Sequence, residues 1–129
     1  MMGRLVHVPP LSQMLKTLLG QSAETRAEAF LQTHGLKLLA RNWRCRFGEI
    51  DLIMRDGATL VFVEVRLRSS ADFGGAAASV TATKQRKLLA TARQYLTTLK
   101  TLPPCRFDVV ALSGSAPPEW IMNAFDDVG

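Results

Sequence analysis

Three carboxylates and one guanidinium interrupt a stretch of the sequence that is otherwise typical of buried strands, between Gly48 and Arg68. The interrupting side chains are Glu49, Asp51, Glu64 and Arg66. Their neighbours are mostly Ile, Leu, Val and Phe, and an unpaired charge buried among such residues costs on the order of several kcal/mol or more. These four charges must therefore be compensated closely or used for chemistry.

A hairpin turn would bring the four charges together. We expect Asp56 and Gly57 to be its two loop residues, because a tight turn needs positive φ values that Asp and Gly tolerate. Asp51 would then face Phe62, and Glu49 would face Glu64. Because side chains alternate along a strand, all four charges would share one face of the hairpin. The other face would be apolar, formed by Ile50, Leu52, Val61, Val63 and Val65.

Two uses fit carboxylates on one face of a hairpin. Asp51 and Glu64 would lie diagonally, close enough to share a hard divalent cation such as Mg²⁺ or Mn²⁺, which prefers oxygen ligands. Alternatively, Arg66 would neutralise two of the acids in an internal salt-bridge cluster that holds the strand register. The spacing leaves both interpretations open, and the apolar surroundings favour a functional site.

Two further side chains converge on this face if the longest predicted helix packs there. Its apolar pattern covers about 83–99, with Thr81 or Thr83 as the cap. Gln85 lies near the centre of the apolar stripe and Lys84 at its edge, both in the first turn, where a phosphate would also meet free backbone N–H groups. A simple orientation of the two side chains toward solvent explains them equally well.

The elements that position these residues follow one another in the order helix, three strands, helix, and one or two strands, which predicts an α/β domain with a mixed sheet covered by helices. The predicted helices outside 83–99 cover about 11–19, ending at Gly20, and about 22–34, capped by Ser22 and closed by Gly35. The predicted strands outside the hairpin are 36–43, 105–112 and 120–125. Residues 68–79, rich in Ser, Gly and Ala, are expected to form a mobile loop.

The 129-residue chain is expected to form one domain, 22–129, preceded by an N-terminal extension, 1–21, with a short amphipathic helix. Its apolar stripe is Leu11, Met14, Leu15, Leu18 and Leu19. Because Lys16 is the only charge in 11–19, the stripe favours contact with a protein partner, or with a second copy in a homodimer, over contact with lipid.

Composition excludes several classes of protein. No apolar run is long enough for a transmembrane helix and no cleavable leader is evident, so a cytoplasmic location without membrane contact is expected. Cys45 and Cys105 lack the neighbouring Cys or His residues that a zinc site needs, and we expect them to be reduced core thiols. A net charge of +5 favours polyanionic partners but does not identify them.

Several motifs together resemble a known family. Asp51, a gap of twelve residues and then Glu64-Val65-Arg66 is similar to the D…(D/E)-x-K pattern of the PD-(D/E)XK, or restriction-endonuclease-like, superfamily of phosphodiesterases. The segments "GEIDLI", "FVEVRLR", "FGGAAASVTATKQRKLL" and "CRFDVVA" resemble the uncharacterised bacterial YraN proteins, which are similar to archaeal Holliday-junction resolvases. The resemblance covers about Ser22 to Phe125.

The resemblance implies a fold, a cofactor and a set of site residues. The fold is a central mixed β-sheet flanked by helices in an αβββαβ core, and the cofactor is Mg²⁺ or Mn²⁺. Asp51 and Glu64 match the metal ligands, and Glu24, at the acidic position of the first core helix, would reach the metal directly or through water. Glu49 belongs to the family's "GEID" signature and is a candidate accessory residue.

The remaining candidates would contact nucleic acid. Lys84 matches the Lys that opens the second core helix and implies a phosphate contact. Gln85 is a candidate only because it lies next to Lys84. Arg68 is the third phosphate-binding candidate.

Arg66 stands where the superfamily pattern has Lys. An Arg guanidinium stays protonated, so it can orient or stabilise charge but cannot accept a proton. The leading hypothesis is therefore a metal-dependent nuclease-fold protein acting on DNA, with branched or processed ends as candidate substrates and Asp51, Glu64 and Arg66 as catalytic residues. The alternatives are an inactive nucleic-acid-binding module of the same fold and a protein-interaction subunit that uses the helix at 11–19.

Overall fold

The computed structural model describes residues 10–68 and 80–125, and within the first helix it leaves the side chains of residues 13 and 15–21 undescribed. The elements, in chain order, are α1 (Leu11–Thr33), β1 (Lys37–Cys45), β2 (Gly48–Asp56), β3 (Thr59–Leu67), α2 (Ala82–Leu96), β4 (Cys105–Leu112) and β5 (Glu119–Phe125). The predicted order of helices and strands is confirmed for these ranges.

The strands form one five-stranded sheet in the order β1-β2-β3-β4-β5. Neighbours are antiparallel except for β3 and β4, which are parallel. Parallel neighbours need a long crossover, and α2 lies in the connection between β3 and β4. The predicted α/β domain with a mixed sheet flanked by helices is therefore confirmed.

Alternation along the central strands supplies a separate core for each helix. Leu52, Met54, Val61 and Val63 pack with Ala23, Ala27 and Leu31 of α1. Ile53, Leu60 and Phe62 pack with Leu88, Leu89 and Ala92 of α2. The sheet is thus buried on both faces, and any group that both helices can reach must lie where their coverage meets.

The first helix differs from its prediction. Gly20 does not end a helix, because α1 runs without interruption from Leu11 to Thr33. A glycine inside a helix costs only about 1 kcal/mol relative to alanine, which is not enough to stop a helix whose later turns are well packed. Gly35 does close α1 as predicted, at φ +90.

The N-terminal stripe stays a prediction as a contact surface. Leu11 and Met14 are exposed, and the side chains of Leu15, Leu18 and Leu19 lie outside the description. Most of the predicted loop, residues 69–79, also lies outside the described residues. In the part of the chain that is described, no helix is long and apolar enough to cross a membrane.

The hairpin turn lies one residue later than predicted. Asp56 pairs with Thr59, so the loop residues are Gly57 and Ala58, and Phe62 faces Ile53 instead of Asp51. Gly57 has φ +60, which meets the need for a glycine at the first loop position in one of the common hairpin turns. The predicted pairs change by two positions along one strand, which preserves the faces of the side chains.

The helix α2 begins one residue before its predicted start and ends three residues early. Thr81 is its N-cap, and its hydroxyl oxygen accepts a hydrogen bond from the backbone N–H of Lys84 at 3.2 Å. This cap fixes the first turn, which carries the predicted phosphate-binding residues. Cys45 and Cys105 form no disulfide with each other, but Cys105 is exposed and is not the core thiol that was predicted.

Candidate functional site

The regular alternation of β1 and β2 breaks next to Asp51. Ile50 and Ile53 both pack under α2, whereas Leu52 packs under α1. In β1, Asn42 adopts φ +47, a left-handed conformation that Asn tolerates better than most residues. The prediction that Ile50 faces away from the acids is therefore wrong, because it assumed unbroken alternation.

The pairing of β2 with β3 also ends at Asp51. The last paired residues are Leu52 and Val63. Beyond them, the backbone N–H of Val65 donates to Oδ2 of Asp51 at 2.8 Å. The carboxylate of Asp51 thus accepts a hydrogen bond from a strand N–H group where the pairing ends. If the pairing of β2 with β3 were extended by one residue, Asp51 would lie opposite Glu64.

Three acids from two elements meet beside this irregularity. One carboxylate oxygen of each of Glu24, Glu49 and Asp51 lies within 4.8 Å of the others. The side-chain amide of Asn42 donates to Glu24 at 2.7 Å and to Glu49 at 2.8 Å, which ties α1 to β2. The sequence prediction placed Glu24 near the site but missed Asn42, whose type favours positive φ.

Glu64 lies beside these acids and is compensated by two cations. Its side chain is only 5% exposed, and its Oε1 lies 3.0 Å from Nζ of Lys84 and 3.7 Å from Nη1 of Arg66. Lys84 projects from the first turn of α2, so the helix contributes the closer cation. The structure therefore contains the predicted contact between Glu64 and Arg66 and adds a second cation from α2.

Burial and the neighbouring carboxylates raise the pKa of Asp51. Burial and the neighbouring Glu64 raise the pKa of Asp51 to about 7, and Glu24 and Glu49 contribute in the same direction. The hydrogen bond from Val65 opposes them by stabilising the charged form. Because burial is the largest cause, the raised pKa reflects mainly the removal of water from the Asp51 carboxylate, and a cation bound beside it would stabilise the charged form.

The donor set fits a hard divalent cation. Every group that the acids offer is a carboxylate oxygen, which is the donor type that Mg²⁺ and Mn²⁺ prefer. Oxygen ligands of such an ion lie about 2.1 Å from it and hence about 3–4 Å from one another. One carboxylate oxygen of each of Glu24, Glu49 and Asp51 lies within 4.8 Å of the others, which is close to that range.

These groups open into a cleft of about 220 Å³ between the β1–β2 hairpin and α2. Its lining residues are Gly48, Glu49, Asp51, Glu64, Lys84, Lys87 and Leu88. Lys87 was not among the residues that the sequence predicted for the site. Its position three residues after Lys84 was the available signal, because residues three apart share a helix face.

Gly48 allows the hairpin to approach α2 closely. It has φ +151, and a Cβ at this position would lie 3.1 Å from the hydroxyl oxygen of Thr91. Thr91 is fully buried, and its hydroxyl donates to the backbone carbonyl of Lys87 at 2.7 Å. The absence of a side chain at Gly48 therefore allows the hairpin and α2 to approach closely at one wall of the cleft.

Two of the predicted phosphate-binding residues do not line the cleft. The Gln85 side-chain amide donates to the carbonyl of Val80 at 3.0 Å, which helps to fix the start of α2. Arg68 pairs with Glu119 of β5 at 3.0 Å. Both residues thus make contacts within the protein, and their contact with nucleic acid stays a prediction.

A second buried acid, Asp108, lies elsewhere in the sheet and is fully satisfied. It accepts hydrogen bonds from Arg106, from the indole N–H of Trp120 and from the backbone N–H of Asn123, at 2.9–3.2 Å. Arg106 also pairs with Asp56 at 3.0 Å. This network ties β4 to β5 and to the end of β2, and it offers a structural contrast to the acids of the cleft.

Comparison with known proteins gives a family without an assigned activity. The model of the uncharacterised protein family UPF0102 matches residues 23–112. A UPF0102 protein of Nitrosospira multiformis is 60% identical over 115 residues, which cover 88% of this chain and 97% of that protein. Two others, from Nitrosomonas europaea and Psychromonas ingrahamii, are 60% and 54% identical over 84% of this chain and cover 93% and 89% of their own lengths.

Proposed function

We propose that this chain, which belongs to the uncharacterised protein family UPF0102, is a divalent-metal-dependent nuclease-fold protein that acts on DNA. The observation that carries the proposal is the cleft in which Glu49, Asp51 and Glu64 face Lys84 and Lys87. Carboxylates suit a divalent cation, and lysines suit phosphate oxygens, so one cleft offers both halves of a phosphodiester site.

The order of elements supports the finer fold assignment. α1, β1, β2, β3, α2 and β4 follow the αβββαβ order of the restriction-endonuclease-like core, and β5 adds an edge strand. Asp51 lies where β2 leaves its regular pairing, and Glu64 lies on the neighbouring central strand. The proposal therefore extends to membership of the PD-(D/E)XK superfamily and to a likeness to YraN proteins and Holliday-junction resolvases.

Each residue of the cleft has a proposed role. Asp51 and Glu64 are the proposed metal ligands, with Glu24 as a third and Glu49 as a fourth. Glu24, Glu49 and Asp51 already lie within 4.8 Å of one another, whereas Glu64 is outside that group and would exchange its ion pair with Lys84 for the metal. When bound, Mg²⁺ or Mn²⁺ would polarise the scissile phosphate and lower the pKa of a water molecule. Asn42 keeps Glu24 and Glu49 in position by donating to both.

This sequence has Arg66 where the motif has Lys, and Lys84 supplies the ammonium group that is missing there. The Nζ atom of Lys84 lies 3.0 Å from Oε1 of Glu64, which is the acid two residues before the Lys position of the motif. An ammonium group there is placed to orient water or to donate to a phosphate oxygen, and Arg66 adds a fixed positive charge 3.7 Å from the same carboxylate. Substrates with branched or processed ends are proposed from the resemblance to resolvases.

A cleavage panel tests the proposal. Duplex, single-stranded, flap and four-way-junction DNAs are incubated with the protein and Mg²⁺ or Mn²⁺ at pH 8. We expect wild-type protein to cut at least one of them, and Asp51→Asn to reduce cutting on the order of 100-fold or more. Asp56→Asn is the matched control, because it neutralises an acid on the same strand that lies outside the cleft. Equal cutting by wild type and Asp51→Asn would contradict the proposal.

A second candidate is a nucleic-acid-binding module that keeps the fold without the chemistry. The observation that favours it is that Glu64 is already paired with two cations, Lys84 and Arg66. Under this candidate, DNA affinity falls steeply with salt, no substrate is cut, and Asp51→Asn binds DNA at least as tightly as wild type because it removes a negative charge.

A further inference from the structure

The turn between β1 and β2 carries an exposed aromatic residue that is next in the chain to two residues lining the cleft. Arg46 and Phe47 are the two residues between the strands, which close with the pair Cys45 and Gly48. The Phe47 side chain is 38% exposed, and the guanidinium carbon of Arg46 lies 4.7 Å from the centre of its ring. Phe47 belongs to neither of the two buried clusters, so its ring is not part of the core.

A short turn does not require these residue types. Neither Arg46 nor Phe47 has a positive φ, so the backbone of this turn places no special demand on residue type, and an exposed aromatic ring adds no favourable turn geometry. The contact between Arg46 and Phe47 gives the turn only a weak local stabilisation, of about 0.5–1 kcal/mol, which does not by itself account for an exposed aromatic ring there. The ring and the guanidinium are available to a ligand that offers both a flat apolar face and negative charge.

The turn is joined directly to the cleft. Gly48 and Glu49, which line the cleft, follow Phe47 in the chain, and successive Cα atoms are about 3.8 Å apart, so no more than about 8 Å separates the Cα atoms of Phe47 and Glu49. Arg44 reaches back from β1 to Glu49, with Nε 3.2 Å from Oε2. A phosphodiester in the cleft would have its neighbouring nucleotide beside the turn.

We propose that Phe47, together with Arg46, stacks on an unpaired base next to the phosphate held in the cleft, so that this protein prefers DNA with single-stranded nucleotides at that position. The inference rests on the proposed function and specifies its substrate class. In a duplex the faces of each base are already stacked, whereas an unpaired base offers a free face to an aromatic ring or to an Arg plane. Phe47 is thus a specificity-determining residue.

Binding measured without cleavage tests this inference. The probes are a single-stranded DNA, a duplex with a single-stranded overhang and a blunt duplex, each carrying one 2-aminopurine and mixed with protein in EDTA at fixed salt. Phe47→Ala is expected to weaken binding of the single-stranded and overhang probes about tenfold and to change blunt-duplex binding less than about twofold. Phe47→Trp is expected to restore binding and to quench the 2-aminopurine more strongly than wild type does.

The control variants separate stacking from general effects. Leu102→Ala removes another exposed apolar side chain, in the connection after α2, and is expected to leave all three affinities unchanged. Arg55→Ala removes an exposed cation at the other end of β2 and tests whether loss of charge alone changes the preference. Circular dichroism confirms that each variant is folded.

The outcomes distinguish this inference from the proposed function. Equal loss on single-stranded and blunt probes, or no loss with Phe47→Ala, overturns the stacking role even if wild type cuts DNA. A selective loss with Phe47→Ala supports the stacking role even if no probe is cut when Mg²⁺ is added, in which case the nuclease proposal fails alone. Absence of binding to every probe at low salt, both in EDTA and with Ca²⁺ in place of EDTA, overturns both.

Discussion

Replacing Asp51 by Asn is predicted to stabilise the protein at alkaline pH. The amide keeps the size of the side chain, and its oxygen can still accept the hydrogen bond from the backbone N–H of Val65. What the change removes is a negative charge held beside Glu64, Glu24 and Glu49 in a largely buried site. Functional residues placed at the expense of stability are common at active sites.

The magnitude follows from the raised pKa of Asp51. That pKa is about 7 in the folded protein, against an ordinary value of 3.8 for an Asp carboxyl, and the difference of about three pH units corresponds to at most about 4 kcal/mol. Between these two pH values the folded chain holds a proton that the unfolded chain has released. The free energy of unfolding of wild type therefore falls as the pH rises from about 4 to about 7, and the lost stability stays lost above about pH 7.

Urea unfolding in EDTA at a series of pH values from about 4.5 to 8.5 measures the effect. We expect Asp51→Asn and wild type to have similar stability at the acidic end, and the variant to gain up to about 4 kcal/mol at the alkaline end. The control Asp56→Asn removes an acid that pairs with Arg106, so it should lower stability at neutral pH. A difference between Asp51→Asn and wild type that is independent of pH would refute the reasoning.

Three further changes test other parts of the site. Mn²⁺ at about 100 times its Kd should raise the Tm of wild type by about 10 °C, more at pH 8 than at pH 5.5, and should have no such effect on Asp51→Asn; equal shifts in the two proteins would place the ion elsewhere. Gly48→Ala should lower the free energy of unfolding by about 1–3 kcal/mol and reduce cleavage, because the added Cβ meets Thr91. Gly114 also has a positive φ but has open space around it, so Gly114→Ala measures the backbone part of the loss in the same urea titration. Arg66→Lys should cut DNA within about tenfold of wild type and Arg66→Ala about 100-fold less in the same cleavage assay, whereas an unchanged rate for Arg66→Ala would remove its catalytic role.

The elements with strong local patterns could be predicted from the sequence. β4 was predicted with its observed bounds, and the cap of α2 at Thr81 was among the two expected positions. Both follow from short-range signals, namely a continuous apolar run and a capping hydroxyl. The convergence of Asp51 and Glu64 also followed, because a hairpin fixes the faces of its strands, whereas the place of Glu49 in the cleft did not, because it lies beyond the break in alternation at Asp51.

The finer geometry of the site depends on interactions that a single strand does not reveal. The break in alternation at Asn42 and Asp51 is a property of two paired strands, so the orientation of Ile50 could not be derived from its spacing. The contact between Lys84 and Glu64 depends on how α2 packs on the sheet. Gly20 is a case in which a local signal was misleading, because α1 continues through this glycine and tertiary packing overrides the signal for a helix end.

The most direct test of the account is a crystal structure of the protein soaked in Mn²⁺ at pH 8, with anomalous scattering used to locate the ion. We predict one Mn²⁺ within about 2.2 Å of carboxylate oxygens of Asp51 and at least one of Glu24, Glu49 and Glu64. An absence of anomalous signal in the cleft at millimolar Mn²⁺, with Lys84 still paired to Glu64, would contradict the central claim that these acids form a divalent-cation site.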